Sequence, residues 1–292
     1  QTQIKPRILI IFDTSTSMLL DISAEEDVYT NGDGSWDPWP SSRSCCPGTG
    51  NSRMYAAKEA MRQMVEATGD IEFALMKYAQ DYASDFENGW VDEEDPIPID
   101  YIKYRNNQNL TGDDRMRYRS RWFNGQCYPA FVGYGDTQDY EWLCVEFPTA
   151  GEDNRDAIMM WMDHHEYDYT NLGIPAFSPL GRAGDDNEQE LRAVGATPLA
   201  ASMEAAAQYL QAIYLADLTA DPLQADCRPY KVILLTDGDE FCGGQPVTAA
   251  TDLYYSLDNI GPDPQPKTGG VKIYVIGLKL QSQQLNDIAI AG

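Results

Sequence analysis

The segment PRILIIFDTSTS, residues 6–17, decides the fold. Its first part, residues 6–12, is a nearly continuous apolar run that is rich in isoleucine. A run of this length without polar alternation is typical of a strand that is buried on both faces, as at the centre of a parallel sheet. The run ends at Asp13, and Ser15 and Ser17 follow at alternate positions. The segment therefore predicts a central strand followed by a polar loop that carries a carboxylate.

Apolar runs and helical spacings alternate through the rest of the chain. The further predicted strands are 71–76, 230–235 and 271–278. The predicted helices are 52–68, 157–161, 197–213, 246–260 and 284–291. Strands that alternate with helices predict an α/β fold, here a doubly wound, mostly parallel sheet with helices on both faces.

The middle of the chain interrupts this alternation. Residues 80–187 are rich in charged and aromatic side chains and show little periodicity. A stretch this long within a compact protein is usually functional or held by disulfides. We therefore expect one domain formed by residues 1–79 and 188–292, with 80–187 as a large irregular insertion lobe. Its aromatic residues either form the core of the lobe or contact a partner.

The chain is strongly acidic. Of its 292 residues, 21 are basic and 46 acidic, which gives a formal net charge of −25. Such a surface repels phosphate backbones and anionic lipids, so we expect no nucleic-acid partner. No apolar run approaches the roughly 18 residues of a membrane span.

The six cysteines favour an oxidising compartment. No Cys-x-x-Cys pair occurs, and the only two histidines, His164 and His165, are adjacent, so a structural zinc site has little support. Because disulfides are rare in the cytosol, we expect bridges and a secreted chain, and a first residue other than Met fits a mature secreted chain. The candidates for disulfides are Cys45, Cys46, Cys127, Cys144, Cys227 and Cys242.

Two of the predicted strands end in an aspartate. Asp13 follows the first strand, and Asp237 follows the strand 230–235 after one threonine. In open α/β sheets, ligands bind at the carboxyl edge of the strands. A carboxylate buried there needs a positive partner, and no Lys or Arg occurs within five residues after Asp13. Together with the hydroxyls of Ser15 and Ser17, the two aspartates predict an oxygen-only site for a hard cation, Mg²⁺ or Ca²⁺.

Three separated segments carry a resemblance to a known family. Asp-Thr-Ser-Thr-Ser (13–17) resembles the first loop of the metal-ion-dependent adhesion site in von Willebrand factor A-type (vWA) domains. Gly-Ala-Thr-Pro-Leu (195–199) is similar to the family's second loop, and Leu-Thr-Asp-Gly (235–238) to its third. The resemblance covers 4–20, 51–79 and 188–292. The commonest family form has glycine where this chain has Thr16.

The resemblance implies both a ligand set and a function. It implies hydroxyl ligands from Ser15, Ser17 and Thr197, and carboxylates from Asp13 and Asp237 that bind directly or through water. The implied ion is Mg²⁺ or Ca²⁺, with Mn²⁺ as a substitute. The implied function is adhesion, in which the ion holds a carboxylate of a protein or matrix partner outside the cell. The segments look most like bacterial surface members of the family, including domains at type IV pilus tips, so we expect a place in a longer chain or a pilus.

Two other functions stay open. An intracellular vWA protein that docks on an ATPase, as in metal chelatases, would carry free thiols. A metal-dependent hydrolase would need a base beside Ser15, and no Gly-x-Ser-x-Gly motif is present, so we do not expect an enzyme. Separately, Asn31, Asp33 and Asp37 are spaced like part of a calcium loop, although a plain acidic turn also explains them.

Overall fold

The computed structural model describes the regular elements of an α/β fold. It describes residues 4–23, 52–78, 122–123, 126–127, 143–148, 153–162, 164, 191, 197–241, 243–258, 260, 269–278 and 282–292. The strands are β1 (Arg7–Phe12), β2 (Glu72–Lys77), β3 (Trp122–Phe123), β4 (Gln126–Cys127), β5 (Leu143–Val145), β6 (Tyr230–Thr236) and β7 (Lys272–Gly277). The helices are α1 (Arg53–Ala67), α2 (Arg155–Met160), α3 (Leu199–Ala220), α4 (Pro222–Cys227), α5 (Pro246–Tyr254) and α6 (Gln283–Ala291).

The main sheet has five strands in the order β5-β2-β1-β6-β7. β1 pairs in parallel with both β2 and β6, and β7 adds a fourth parallel strand beside β6. The short β5 pairs antiparallel with β2 at the opposite edge. β3 and β4 form a separate two-stranded ribbon. The predicted α/β class with a parallel sheet is therefore confirmed, and β1 lies at its centre as its composition predicts.

Successive residues of β1 belong to two different apolar clusters. Leu9 and Ile11 pack in a cluster with residues of α3, α5 and α6. Ile10 and Phe12 pack in a second cluster with residues of α1. All four side chains are fully buried. Because neighbouring side chains of a strand point to opposite faces, the two clusters lie on opposite sides of the sheet.

The start of α1 follows a local signal in the sequence, whereas the ends of α3 and α5 differ from the predicted limits. The Ser52 hydroxyl accepts a hydrogen bond from the Tyr55 backbone N–H, as an N-cap does. α3 continues to Ala220, seven residues beyond the predicted limit. α5 ends at Tyr254, six residues before the predicted limit, because the chain tightens into a turn in which Ser256 N–H donates to the Leu253 carbonyl.

A network of four charged side chains joins the amino ends of β1, β2 and β6. Arg7 Nε and Arg228 Nη1 both lie 2.8 Å from Glu72 Oε2. Arg7 Nη1 lies 2.6 Å from Asp217 Oδ2, which also accepts a hydrogen bond from the Tyr230 hydroxyl. Burial opposes the charge on Arg7, but its bond to Glu72 and the two carboxylate charges outweigh that effect and raise the pKa of Arg7. Two guanidinium groups thus neutralise two carboxylates at this edge.

The expectations about disulfides and about membrane spans can be compared only with the residues that the structure describes. Cys227 is exposed and carries a free thiol, so the structure does not show the disulfide considered for it. The side chains of Cys45, Cys46, Cys127, Cys144 and Cys242 lie outside the described residues, and their pairing stays a prediction. No helix in the described ranges is long and apolar enough to cross a membrane.

Candidate metal centre

The first and third predicted segments meet at the carboxyl edge of the sheet. β1 and β6 are parallel neighbours, with Phe12 beside Leu235. The pairing continues by one bond, in which Asp13 N–H donates to the Leu235 carbonyl at 2.9 Å. Asp13 and Asp237 therefore leave the sheet side by side, although they are 224 residues apart in sequence. Both are buried.

Protein donors hold both oxygens of the Asp13 carboxylate. Oδ1 accepts a hydrogen bond of 2.7 Å from Ser15 N–H, which turns the loop back toward the strand end. Oδ2 accepts from the Thr236 hydroxyl at 2.7 Å and from Asp237 N–H at 3.1 Å. Because a carboxylate oxygen has two lone-pair positions, Oδ1 keeps one and Oδ2 keeps none. Asp13 thus ties the first loop to the third and has little direct ligand capacity left.

Three other oxygens form a compact triangle. Ser17 Oγ donates to Asp237 Oδ1 at 2.7 Å, and the hydroxyls of Ser15 and Ser17 lie 2.9 Å apart. Ser15 Oγ completes the triangle at 3.4 Å from the same Asp237 oxygen. Ser15 is buried, whereas Ser17 is partly exposed, so the triangle has one side toward solvent.

The second segment lies against the third. The Thr197 carbonyl accepts a hydrogen bond from Phe241 N–H at 3.0 Å. A Cβ atom placed on Gly238 would lie 3.4 Å from the Thr197 hydroxyl oxygen. Glu240 Oε2 accepts from Ala200 N–H at 2.7 Å, which ties the third loop to the first turn of α3. All five predicted ligand residues thus belong to segments that converge at this edge.

A guanidinium contacts the site, which the sequence reasoning missed. Arg53 Nη1 lies 2.8 Å from Asp237 Oδ2, and the side chains are 7% and 0% exposed. Arg53 is the first residue of α1, and its N–H donates to the Leu20 carbonyl, just past the first loop. Asp237 therefore has a basic partner within the protein, although no Lys or Arg occurs within five residues after Asp13. The residues next to Asp13 in sequence do not reveal this partner, because Arg53 lies 40 residues further along the chain.

The electrostatics of the site disfavour two ionised carboxylates. Burial and the negative charge of Asp237 raise the pKa of Asp13 to about 7, against the lowering effect of its bonds to Ser15 and Thr236. With both aspartates ionised, Asp13, Asp237 and Arg53 together carry a charge of −1. Added positive charge at this edge would favour the ionised form of Asp13.

The donor set and its spacing fit a small divalent cation. Mg²⁺ prefers oxygen ligands at about 2.0–2.1 Å in octahedral geometry, so neighbouring ligand oxygens lie about 2.9 Å apart. The triangle of Ser15, Ser17 and Asp237 has edges of 2.7, 2.9 and 3.4 Å. No group of three or more His, Cys, Asp or Glu side chains that could hold a metal occurs in the described part of the chain.

Of the remaining candidate residues, the structure describes His164 alone. Asn31, Asp33 and Asp37 lie outside the described residues, as does His165. The His164 ring stacks on Tyr55 with centroids 4.2 Å apart, and its Nε2 lies 3.0 Å from Glu59 Oε1. These contacts attach His164 to the side of α1.

Comparison with known proteins identifies no family for this chain. The chain matches none of the protein-family models, and no curated protein matches it. The functional interpretation therefore depends on the convergence of the three segments and on the chemistry of their oxygens.

Proposed function

We propose that the carboxyl edge of the sheet binds one divalent cation, Mg²⁺ or Ca²⁺, with Mn²⁺ as a substitute. The observation that carries the proposal is the triangle of Ser15, Ser17 and Asp237 oxygens. Thr197, whose hydroxyl faces Gly238, would supply a further hydroxyl. Asp13 acts through its remaining Oδ1 position, by way of a water molecule, and holds the loops together.

The bound cation provides an open coordination position for a partner. Neutral hydroxyls donate little charge, so a divalent ion held by them and two carboxylates keeps much of its attraction for a further anion. Ser17 is the partly exposed member of the triangle, which favours approach of the partner from that side. We infer that the partner is a protein or matrix component that presents a carboxylate, and that the chain is a secreted or cell-surface adhesion module and not an enzyme.

The proposed architecture is a doubly wound sheet of the vWA type. The two clusters of β1 side chains, one with α1 and the other with α3, α5 and α6, support it. In this proposal residues 80–187 contain an insertion lobe that adds specificity, although β5 within that range belongs to the main sheet and residues at α2 pack in its core. The chain belongs to a bacterial surface or pilus-tip protein. Bridges among the cysteines other than Cys227 would fit this location.

The cation is tested by thermal unfolding of chelator-treated protein with Mg²⁺, Ca²⁺ or Mn²⁺ added. A ligand that binds only the folded state at 100 times its Kd adds about 2.7 kcal/mol to the free energy of unfolding. We expect Ser17→Ala and Asp237→Asn to reduce this gain. Ser23→Ala is the matched control, because its exposed hydroxyl contacts Asp21 and lies outside the triangle. Absence of metal-dependent stabilisation in the wild type would overturn the proposal.

The partner chemistry is tested on surfaces that present paired peptides. One peptide contains Asp or Glu, and the other contains Asn or Gln at the same position. We expect retention on the acidic peptide only when the cation is present, and loss of retention with chelator or with Asp237→Asn. Equal retention on both peptides would contradict recognition of a carboxylate.

A further inference from the structure

Arg53 has no place in the ligand set described above, yet it contacts one of its members directly. Its Nη1 lies 2.8 Å from Asp237 Oδ2, while Ser17 Oγ lies 2.7 Å from the other oxygen of the same carboxylate. The two oxygens of Asp237 thus have different partners. Oδ1 is part of the oxygen triangle, and Oδ2 is paired with the buried guanidinium of Arg53.

Three contacts fix Arg53 in this position. Its backbone N–H donates to the Leu20 carbonyl at 2.9 Å, and the preceding Ser52 forms a β-bridge with Asp21. The Ser52 hydroxyl also caps α1. The start of α1 is therefore attached to the chain immediately after the loop that carries Ser17. The guanidinium is held at the site by the fold and does not reach it from a distant surface position.

We propose, on the basis of the cation site proposed above, that Arg53 is an intrinsic competitor that lowers the affinity of this edge for divalent cations. A cation on Asp237 Oδ1 and the guanidinium on Oδ2 share one carboxylate, so they repel each other. The guanidinium also neutralises part of the negative charge on Asp237 that would otherwise attract a cation. The site consequently exchanges its cation more readily than the same oxygens would without Arg53.

The size of the effect follows from Coulomb's law. A unit charge and a divalent cation about 6 Å apart repel strongly enough, even at the dielectric constant of water, to change affinity about tenfold. The partly buried position makes the repulsion larger. We therefore expect Arg53→Gln to bind Mg²⁺ or Mn²⁺ at least about tenfold more tightly than the wild type, while the chelator-treated variant unfolds at a lower temperature.

The experiment measures Mn²⁺ and Mg²⁺ affinity by calorimetry on the chelator-treated full chain. Arg62→Gln is the matched control: it removes the same charge from α1, roughly 13 Å further along the helix axis. Arg62 pairs with Glu59 and is partly exposed. Arg53→Lys keeps the charge, so its affinity should stay closer to that of the wild type than to that of Arg53→Gln.

A measurement on the wild type covers the case in which Arg53→Gln fails to fold. The side-chain Nε–H resonance of Arg53 should shift as Mg²⁺ is added, with the same midpoint as the calorimetric titration, and that of Arg62 should not. A wild type that binds Mg²⁺ with no shift at Arg53, or equal affinities for wild type and Arg53→Gln, overturns the competition and leaves the cation site standing. Binding by Arg53→Gln alone supports the competition and overturns cation binding by the wild type. Binding by neither overturns both.

Discussion

Loss of one carboxylate from the network at the amino edge of the sheet should destabilise the fold strongly. Glu72 Oε2 accepts hydrogen bonds from both Arg7 and Arg228, each at 2.8 Å. Side chains in this network are 10–17% exposed, so the charges are mostly desolvated. Glu72→Gln keeps the shape of the side chain but leaves two guanidinium groups with the single carboxylate of Asp217.

The contacts of Glu72 determine how much stability Glu72→Gln should lose. Hydrogen bonds to charged groups contribute about 1.5–3 kcal/mol each, and removal of one partner from a buried ion pair costs about 3–5 kcal/mol. The glutamine oxygen can still accept one bond, and some solvent reaches the network. We therefore expect Glu72→Gln to lower the free energy of unfolding by about 2–4 kcal/mol.

Urea unfolding followed by circular dichroism at pH 7 measures this loss. Asp153→Asn is the control, because Asp153 pairs with Arg155 at an exposed position and its loss should have a small effect. The double variant with Asp217→Asn should be non-additive, since both carboxylates contact the same arginines. A loss below about 1 kcal/mol with an unchanged urea slope would refute the argument from burial. Cation-dependent stabilisation should persist in Glu72→Gln, because a six-residue strand puts about 20 Å between the two edges.

Three further predictions concern single residues. Thr236→Val should lower the free energy of unfolding by about 1–3 kcal/mol, because Asp13 Oδ2 loses a buried donor at 2.7 Å. Urea unfolding measures this loss, and Thr236→Ser should restore most of the stability. Gly270→Ala should destabilise by about 1–3 kcal/mol, because Gly270 has a φ of +55° and a Cβ there would lie 2.5 Å from the Tyr254 ring; a thermal midpoint equal to that of the wild type would contradict this. Burial lowers the pKa of His164 below its ordinary 6.5. The stability that the neutral ring contributes is therefore present above pH 6.5, and it is lost as the pH falls through the lower pKa of the folded state. An NMR titration midpoint at or above 6.5 would contradict the prediction.

Much of the fold follows from patterns within single segments. The apolar run before Asp13, the cap at Ser52 and the helical spacing after it all lie where local rules put them. The sequence reasoning missed β5, because three residues carry no readable period. It also missed α4, although a signal was present: Asp221 caps that helix and Pro222 occupies its first turn.

The site was predictable in part for the same reason. The first and third segments each follow a buried strand, so the rule for parallel sheets brings Asp13 and Asp237 to one edge. Arg53 and Thr236 follow from no such rule. Arg53 reaches Asp237 because of the way α1 docks after the first loop, and a threonine at the end of a buried strand is indistinguishable in sequence from an ordinary β-branched residue.

The long separation between Asp13 and Asp237 has a consequence for biogenesis. Asp13 is synthesised long before its partners, because its bonds to Thr236 and Asp237 require β6, more than 220 residues later. A nascent or prematurely ended chain that lacks β6 cannot assemble the oxygen triangle, and proteolytic loss of the segment after β1 or of the segment after β6 would dismantle it. An assembled oxygen triangle therefore requires that both β1 and β6 have been synthesised and have paired.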